Sequence, residues 1–449
     1  MNCMKIIIAG AGEVGKYLAK MLLKEDHDIV VIDNNEKRLR SIESDKDVLT
    51  IYGSCTSIRV LQEAGVKNAD LFIAVTITEE INTIAAILAK RLGARKTISR
   101  LDSMEYLEPD NKPYLLSLGI DRMIYPEFIA AKEVIGLIKQ TGTSEIFEFS
   151  GGKLTLFVVR LDAKAPIVGK TLREADAITK STDFRAVAIT RNEKTIIPKG
   201  NDVLMADDLV YVITNPSGIQ ALLKYAGKKK LDIGNVMILG GSRIGRMVAK
   251  RLQNQLNIKM VEIDAEKCEV LANELSKVLI INGDGRDADF LVEEGISEMD
   301  AFVAVTGNSE TNILSCIMAK KLGVKKTIAE VENLDFIEVA SQMGVDTIVN
   351  KKLSAASHIY TFTMKAEVAS IKCLTGSDAE VLEFVVQPGA RITTDILKQI
   401  DFPEGAIIGG VVRGDRSYIA SGTTQVKAND KVVVFALPDA IFEIENYFN

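Results

Sequence analysis

Residues 5–15 read Lys5-Ile6-Ile7-Ile8-Ala9-Gly10-Ala11-Gly12-Glu13-Val14-Gly15. The apolar run at its start has no polar alternation, as a strand buried on both faces requires. Three glycines follow at G-x-G-x-x-G spacing, and a helix-forming stretch over 14–24 comes next. Gly10 permits a tight turn, Gly12 lets a pyrophosphate approach the backbone, and Gly15 lets helix and strand pack closely. The free N–H groups and positive dipole end of that helix then face the phosphates. Asp33 closes the next apolar run, 18 residues beyond Gly15. A carboxylate there accepts bonds from the adenosine ribose hydroxyls and disfavours a 2′-phosphate, which selects NAD(H) over NADP(H). A turn or helix-capping aspartate is the structural alternative.

The same pattern returns 230 residues later, where Gly240 stands for Gly10. That offset also joins Gly15 to Gly245, Gly53 to Gly283, Asp70 to Asp300, Thr76 to Thr306, Asn82 to Asn312 and Gly93 to Gly323. One register held over so many positions marks a tandem duplication. A one-residue slip pairs Asp33 with Asp264. Each copy opens with short apolar runs alternating with helical stretches. In the first these fall at 5–9, 28–33, 48–52, 71–75, 97–101 and 121–125, with helices such as 14–24 and 80–92 between them. That is a βαβαβ pattern twice over, which predicts a Rossmann-like doubly wound parallel sheet. Each copy then changes to hairpin-like segments, predicting a small α+β module. The expected domains are 1–140, 141–227, 228–365 and 366–449, with a lysine-rich connector near Tyr225–Asp232.

Ligands in such sheets sit beside the point where strand order reverses. Thr76, after the fourth run of the first copy, and Thr306, in the second, fall there. Arg100 ends the fifth run and reads either as a phosphate partner or as half of a surface ion pair. The second copy departs from the first. Its loop is Gly240-Gly241-Ser242-Arg243-Ile244-Gly245, with serine where the middle glycine belongs, and Glu330 replaces Arg100. The expectation is a second nucleotide pocket of altered preference, with Arg243 or Arg286 compensating, or an empty one.

Composition narrows the function. The 449 residues are 47% hydrophobic and 26% charged, with a net charge of −6. The acidic balance argues against a nucleic-acid binder. The five cysteines are odd in number and widely spaced, as reduced cytosolic thiols are. No apolar run approaches the length of a membrane span. Only His27 and His358 are available as imidazoles, and both fall where packing explains them. The one Tyr-x-x-x-Lys lies in the connector. Two nucleotide folds with no general acid or base suggest sensing rather than hydride transfer. A duplicated NAD-dependent oxidoreductase is the alternative.

The segments MKIIIAGAGEVGKYLA, VIDNNEKRL, RVLQEAGVKNADLFIAVT, EINTIAA and KTISRL, with MILGGSRIG, VEIDAEKCEVL, NGDGRD and DAFVAVTGNSETNIL in the second half, resemble the Trk potassium-uptake protein A family, which is built of regulator-of-potassium-conductance (RCK) domains. The resemblance spans essentially the whole chain. It implies a cytoplasmic regulatory subunit, peripheral on the inner face of the cell membrane. Such a subunit assembles as a homotetrameric ring and gates a membrane-embedded Trk potassium-conducting subunit. It also implies NAD(H), with ATP or ADP as alternative ligands, on Gly10, Ala11, Gly12, Glu13, Val14, Asp33, Thr76, Ile77 and Arg100. In the second half the implied contacts are Gly240, Gly241, Ser242, Arg243, Ile244, Asp264, Thr306 and Gly307. Neither a catalytic residue nor a metal site is implied. Helices around 80–92 and 130–140 are the expected interdomain or intersubunit surfaces.

Overall fold

The computed structural model describes residues 4–23, 27–42, 48–139, 145–179, 183–191, 194–226, 232–360, 362, 368–373, 379–437 and 440–449. Most of the expected connector, residues 227–231, lies outside them.

The strands of the first N-terminal fold are β1 (Lys5–Ala9), β2 (Asp28–Asp33), β3 (Val48–Tyr52), β4 (Leu71–Ala74), β5 (Lys96–Arg100) and β6 (Arg122–Ile124). They form one parallel sheet in the order β3-β2-β1-β4-β5-β6. This is the doubly wound order, with its switch point between β1 and β4. Ile6, Ile7, Ile8 and Ala9 are fully buried, which is why the run shows no alternation.

The first C module is an antiparallel sheet of β7 (Glu145–Phe149), β8 (Leu154–Arg160), β9 (Phe184–Arg191), β10 (Lys194–Ile196) and β11 (Leu209–Thr214), ordered β10-β9-β11-β8-β7. The second half repeats both designs. Strands β12 (Asn235–Leu239), β13 (Asn257–Glu262), β14 (Val278–Asn282), β15 (Ala301–Ala304), β16 (Lys326–Glu330) and β17 (Thr347–Val349) give β14-β13-β12-β15-β16-β17. Strands β18 (Val368–Cys373), β19 (Glu380–Val385), β20 (Ala406–Arg413), β21 (Arg416–Ile419) and β22 (Lys431–Ala436) give β18-β19-β22-β20-β21. Position for position, both orders match those of the first half.

Compact units do not follow the repeat boundaries. Residues 1–129 group with 351–363, and residues 130–350 group with 364–449. In the first unit the helix Lys351–Tyr360 lies along the glycine-loop helix Glu13–Leu23. Arg122 sits over the Phe362 ring, 5.4 Å from its centroid. In the second unit Ala130, Ala131, Val134, Leu137 and Ile138 are buried with Ile244, Val248, Ala249 and Leu252 of the glycine-loop helix Arg243–Leu252. The apolar face of the helix around 130–140, expected to be an interdomain or intersubunit surface, thus packs on the second N-terminal fold, an interdomain contact.

The two C modules, both in the second unit, meet sheet face to sheet face. Strand β8 alternates, so Leu154, Leu156 and Val158 share a core with Val381, Val412, Val433 and Phe435, while Phe157 and Val159 turn to the other side. Tyr211 and Phe435 bring their rings to 5.6 Å. A Cβ on Gly409 would lie 2.6 Å from Ile213, and one on Gly410 would lie 2.7 Å from Leu154, so close packing requires glycine at both. Polar ties ring this core. Lys153 Nζ donates to Asp415 at 2.9 Å, and Arg185 donates to the Ala420 carbonyl at 2.7 Å.

Candidate nucleotide sites

The glycine turn of the first fold is fixed by its neighbours. Gly10 has φ +115°, and a Cβ there would lie 3.0 Å from Thr76 N. A Cβ on Gly15 would lie 1.8 Å from the Gly10 carbonyl oxygen. Glycine is therefore obligatory at both places, one for the turn and one for the helix that follows. A Cβ on Gly12 would meet nothing within 4 Å, so the surface above it is open. Val14 is buried and offers a ligand only its backbone, whereas Glu13 and Ile77 are exposed.

Asp33, at the end of β2, is buried beside this turn. Its carboxylate accepts the Ala11 N–H at 2.6 Å and the Asn35 N–H at 2.8 Å. The same group that would receive ribose hydroxyls therefore also holds the glycine loop in place. Cys55 lies in this neighbourhood. Burial above all, with the Asp33 charge adding to it, pushes its thiol up to about 11, so it stays protonated at neutral pH.

The switch-point loop is clamped by Asn82, whose role the sequence did not disclose. Its Oδ1 accepts from Thr76 N at 2.8 Å and Thr76 Oγ1 at 2.7 Å. Its Nδ2 donates to the carbonyls of Thr76 and Arg100, both at 3.1 Å. Asn312 repeats every bond on Thr306 and Glu330. The signal was present: an Asn six residues after the threonine, kept in both copies. Gly10, Ala11, Asp33, Thr76 and Arg100 thus converge at the carboxyl ends of β1, β2, β4 and β5. Arg100 donates to Asp102 at 3.3 Å, and its Nε is buried with no acceptor. An orphaned guanidinium donor, an open surface over Gly12 and a carboxylate at the end of β2 fit a nucleotide's phosphates and ribose.

In the second fold Gly240 and Gly245 repeat the turn. Glu262, not Asp264, occupies the place of Asp33. It ends β13 and accepts from Gly241 N at 2.9 Å and Asp264 N at 3.0 Å. Asp264 instead corresponds to Asn35: both cap the next helix, Asp264 through Glu266 N and Lys267 N. The repeat slips one residue the other way there, so pairing the two aspartates by type misplaced the register. Ser242 caps the helix Arg243–Leu252, accepting the Gly245 N–H at 3.3 Å. Gly12 has no side chain to do this. Arg243 and Gly307 are exposed, Ile244 is buried, and Arg286 is held by Asp284 at 2.7 Å.

His27 Nδ1 accepts from Met4 N at 3.5 Å, and His358 packs edge-on against Phe362. Among the described residues no cluster of His, Cys, Asp and Glu could hold a metal ion. Among them too, no helix is long and apolar enough to cross a membrane.

Comparison with known proteins places these features. Residues 6–126 and 236–351 match the TrkA-N domain, and residues 156–227 and 381–449 match the TrkA-C domain. The Trk system potassium uptake protein TrkA of Halomonas elongata is 32% identical over 450 residues, covering 99% of this chain and 98% of that protein. A TrkA homolog of Archaeoglobus fulgidus is 33% identical over 447 residues, covering 99% and 100%. The crystal structure of the GsuK RCK domain shares the fold, with a TM-score of 0.59 at 17% identity over 99% of this chain and 95% of that one. The GsuK channel bound to NAD has the same score at 18% identity, over 99% of this chain and 79% of that one. Matched end to end and twice by both domains, the chain belongs to the TrkA family of Trk system potassium uptake proteins.

Proposed function

We propose that this chain is the nucleotide-sensing regulatory subunit of a Trk-type potassium transporter, working on the cytoplasmic face of the membrane. The observation that carries the reading is the convergence at the first switch point: the open glycine turn, Asp33 tied to Ala11, and Arg100 with a buried donor lacking an acceptor. The N-terminal folds take NAD(H), with ATP or ADP as competing ligands, on Gly10–Val14, Asp33, Thr76, Ile77 and Arg100. The potassium role rests on the TrkA relatives. The domain limits 1–140, 141–227, 228–365 and 366–449 serve this reading.

A ligand biases a two-state assembly only by its differential affinity for the two shapes. NAD(H) and ATP differ in length and in charge at one end, so they stabilise different closures of the N-terminal folds. The change passes to the conducting subunit as altered packing on its cytoplasmic side. In this reading no bond of the nucleotide is broken and no residue acts as a general base. Self-association into a tetrameric ring is supported by aliphatic side chains left on equivalent helices. Ile84 on Glu79–Leu92 is 49% exposed, and its counterpart Leu314 on Ser309–Lys321 is 61% exposed.

Titration calorimetry of the full chain with NAD(H), ATP and ADP tests this. Saturable binding without turnover is the expected result, weakened about tenfold to a hundredfold in Asp33→Ala by loss of charged hydrogen bonds. NAD(H) consumption with a small substrate would instead favour the oxidoreductase alternative.

A further inference from the structure

The helix that follows each switch point is pinned to the sheet near both of its ends. In the first turn of Glu79–Leu92, Asn82 commits its whole buried amide to the crevice, to Thr76 and to the Arg100 carbonyl. Glu79, in the same turn, accepts the Ser103 N–H at 2.7 Å and the Asp102 N–H, so the loop leaving β5 hangs on the helix as well. Eight residues beyond Asn82, about 12 Å along the helix axis, Lys90 Nζ donates to the Arg95 carbonyl at 2.7 Å and to Asp121 at 2.8 Å. Asp121 in turn accepts the Thr97 N–H of β5 at 2.7 Å. Between these pins Ala85, Ala86 and Ala89 are fully buried, and their small side chains let the helix lie close on the sheet. The second fold repeats the device on Ser309–Lys321. Asn312 stands for Asn82, and Ser309 replaces Glu79, accepting the Glu332 N–H at 3.0 Å. Lys320 Nζ donates to the Lys325 carbonyl at 2.9 Å and to both oxygens of Asp346 at 2.6 Å, and Asp346 accepts the Thr327 N–H of β16 at 2.8 Å.

Pinned in this way, the helix and the fifth strand are one rigid piece. One end of that piece is the crevice itself, through Thr76 and the end of β5. Thr76 N is the atom that a Cβ on Gly10 would meet at 3.0 Å, so the helix start and the glycine turn share a wall. The outer face of the same piece carries Ile81 and Ile84, and in the second fold Leu314, all exposed. Coupling between two sites is carried by rigid elements with discrete arrangements. A helix loose at either end would absorb a displacement of the switch-point loop by pivoting or fraying. A fully satisfied buried amide at one end and a lysine tie at the other suppress both.

We infer that Glu79–Leu92 with β5, and Ser309–Lys321 with β16, are levers that pass the state of the crevice to the outer surface of each fold, with Asn82 and Asn312 as inner pins and Lys90 and Lys320 as outer pins. This rests on the nucleotide reading above and adds the route by which binding is transmitted. The four pins are positioning residues, acting through the loop and the strand rather than on the ligand.

The test separates affinity from response. Calorimetry of the full chain with ATP and with NADH gives the affinity. Potassium flux in vesicles holding the Trk-type conducting subunit and the full chain gives the response, as the ratio of flux with saturating nucleotide to flux without. Lys90→Met with Lys320→Met removes the outer pins, away from the crevice. It should leave affinity within about twofold and cut the response about threefold or more. Lys90→Arg with Lys320→Arg keeps donors for a carbonyl and a carboxylate and should restore the response. Asn82→Asp with Asn312→Asp keeps an acceptor for Thr76 and Thr306 and loses the donor to residues 100 and 330. It should cut the response about tenfold or more for a smaller loss of affinity. Thermal melts matched to the native chain show that the lysine variants are folded, as partly exposed ion pairs allow, and these variants decide the test if the asparagine pair does not fold. A response left intact in either folded pair, or affinity falling in step with response, would overturn the inference and leave nucleotide sensing standing. A native chain that binds no nucleotide, or whose bound nucleotide leaves flux unchanged, would remove both.

Discussion

Polar side chains two positions apart do different work in this chain. Asp33 and Glu262 hold the glycine loop from the second strand, whereas Asn35 and Asp264 cap the next helix. Asp264→Ala should therefore cost about 1 kcal/mol of stability, the usual cost of a lost cap, and leave nucleotide affinity unchanged. Glu262→Ala should weaken binding at the second fold roughly tenfold or more, because it removes a ribose acceptor and frees the Gly241 N–H. Melting curves and calorimetry on the two variants separate the roles, and weaker nucleotide binding in Asp264→Ala would reverse them. The sequence made the wrong pairing attractive because both candidates are aspartates. A hydrogen-bonding position tolerates one extra methylene, so residue type is a poor guide to register there. The glycines were legible for the opposite reason, since 1.8 Å between a Gly15 Cβ and the Gly10 oxygen tolerates nothing.

Elements were legible where periodicity was strong and misleading where partners lay far along the chain. Strands β1, β2 and β4 were readable as nearly unbroken apolar runs, and the strand ends of the first fold shift by a residue at most. The helix Pro126–Lys139 was equally readable as apolar, but its partner was not: Val134 is fully buried among side chains of the second N-terminal fold. Helical periodicity says that a face is buried and is silent on what buries it. Val134→Asp places an unpaired carboxylate in that core, a cost of roughly 3 kcal/mol or more. Hydrogen exchange should then show protection lost across 236–349, although the substitution lies in the first repeat. Loss confined to 5–124 would contradict the packing. The C modules teach the same lesson. Their hairpins could be read from glycines and alternation, but the shared core of Leu154, Val433 and Phe435 required both copies to be seen together.

At the scale of the whole molecule, duplication within one chain lets the two copies diverge. A ring of identical single-copy subunits must answer one ligand at every site. Two linked copies keep the fold, the asparagine clamp and the C-module pairing while altering charges at residues 13 and 243 and at 100 and 330. The TrkA membership made the regulatory role legible over essentially the whole length. What the chain regulates is decided by flux. Potassium flux should be measured in vesicles reconstituted with the Trk-type conducting subunit and this full chain, with ATP or NAD+ added, for the native protein and Asp33→Ala. Nucleotide-dependent flux that differs between ATP and NAD+, with the response weakened in Asp33→Ala, is the predicted result. Flux indifferent to the chain, or altered by the chain without regard to nucleotide, would contradict the account.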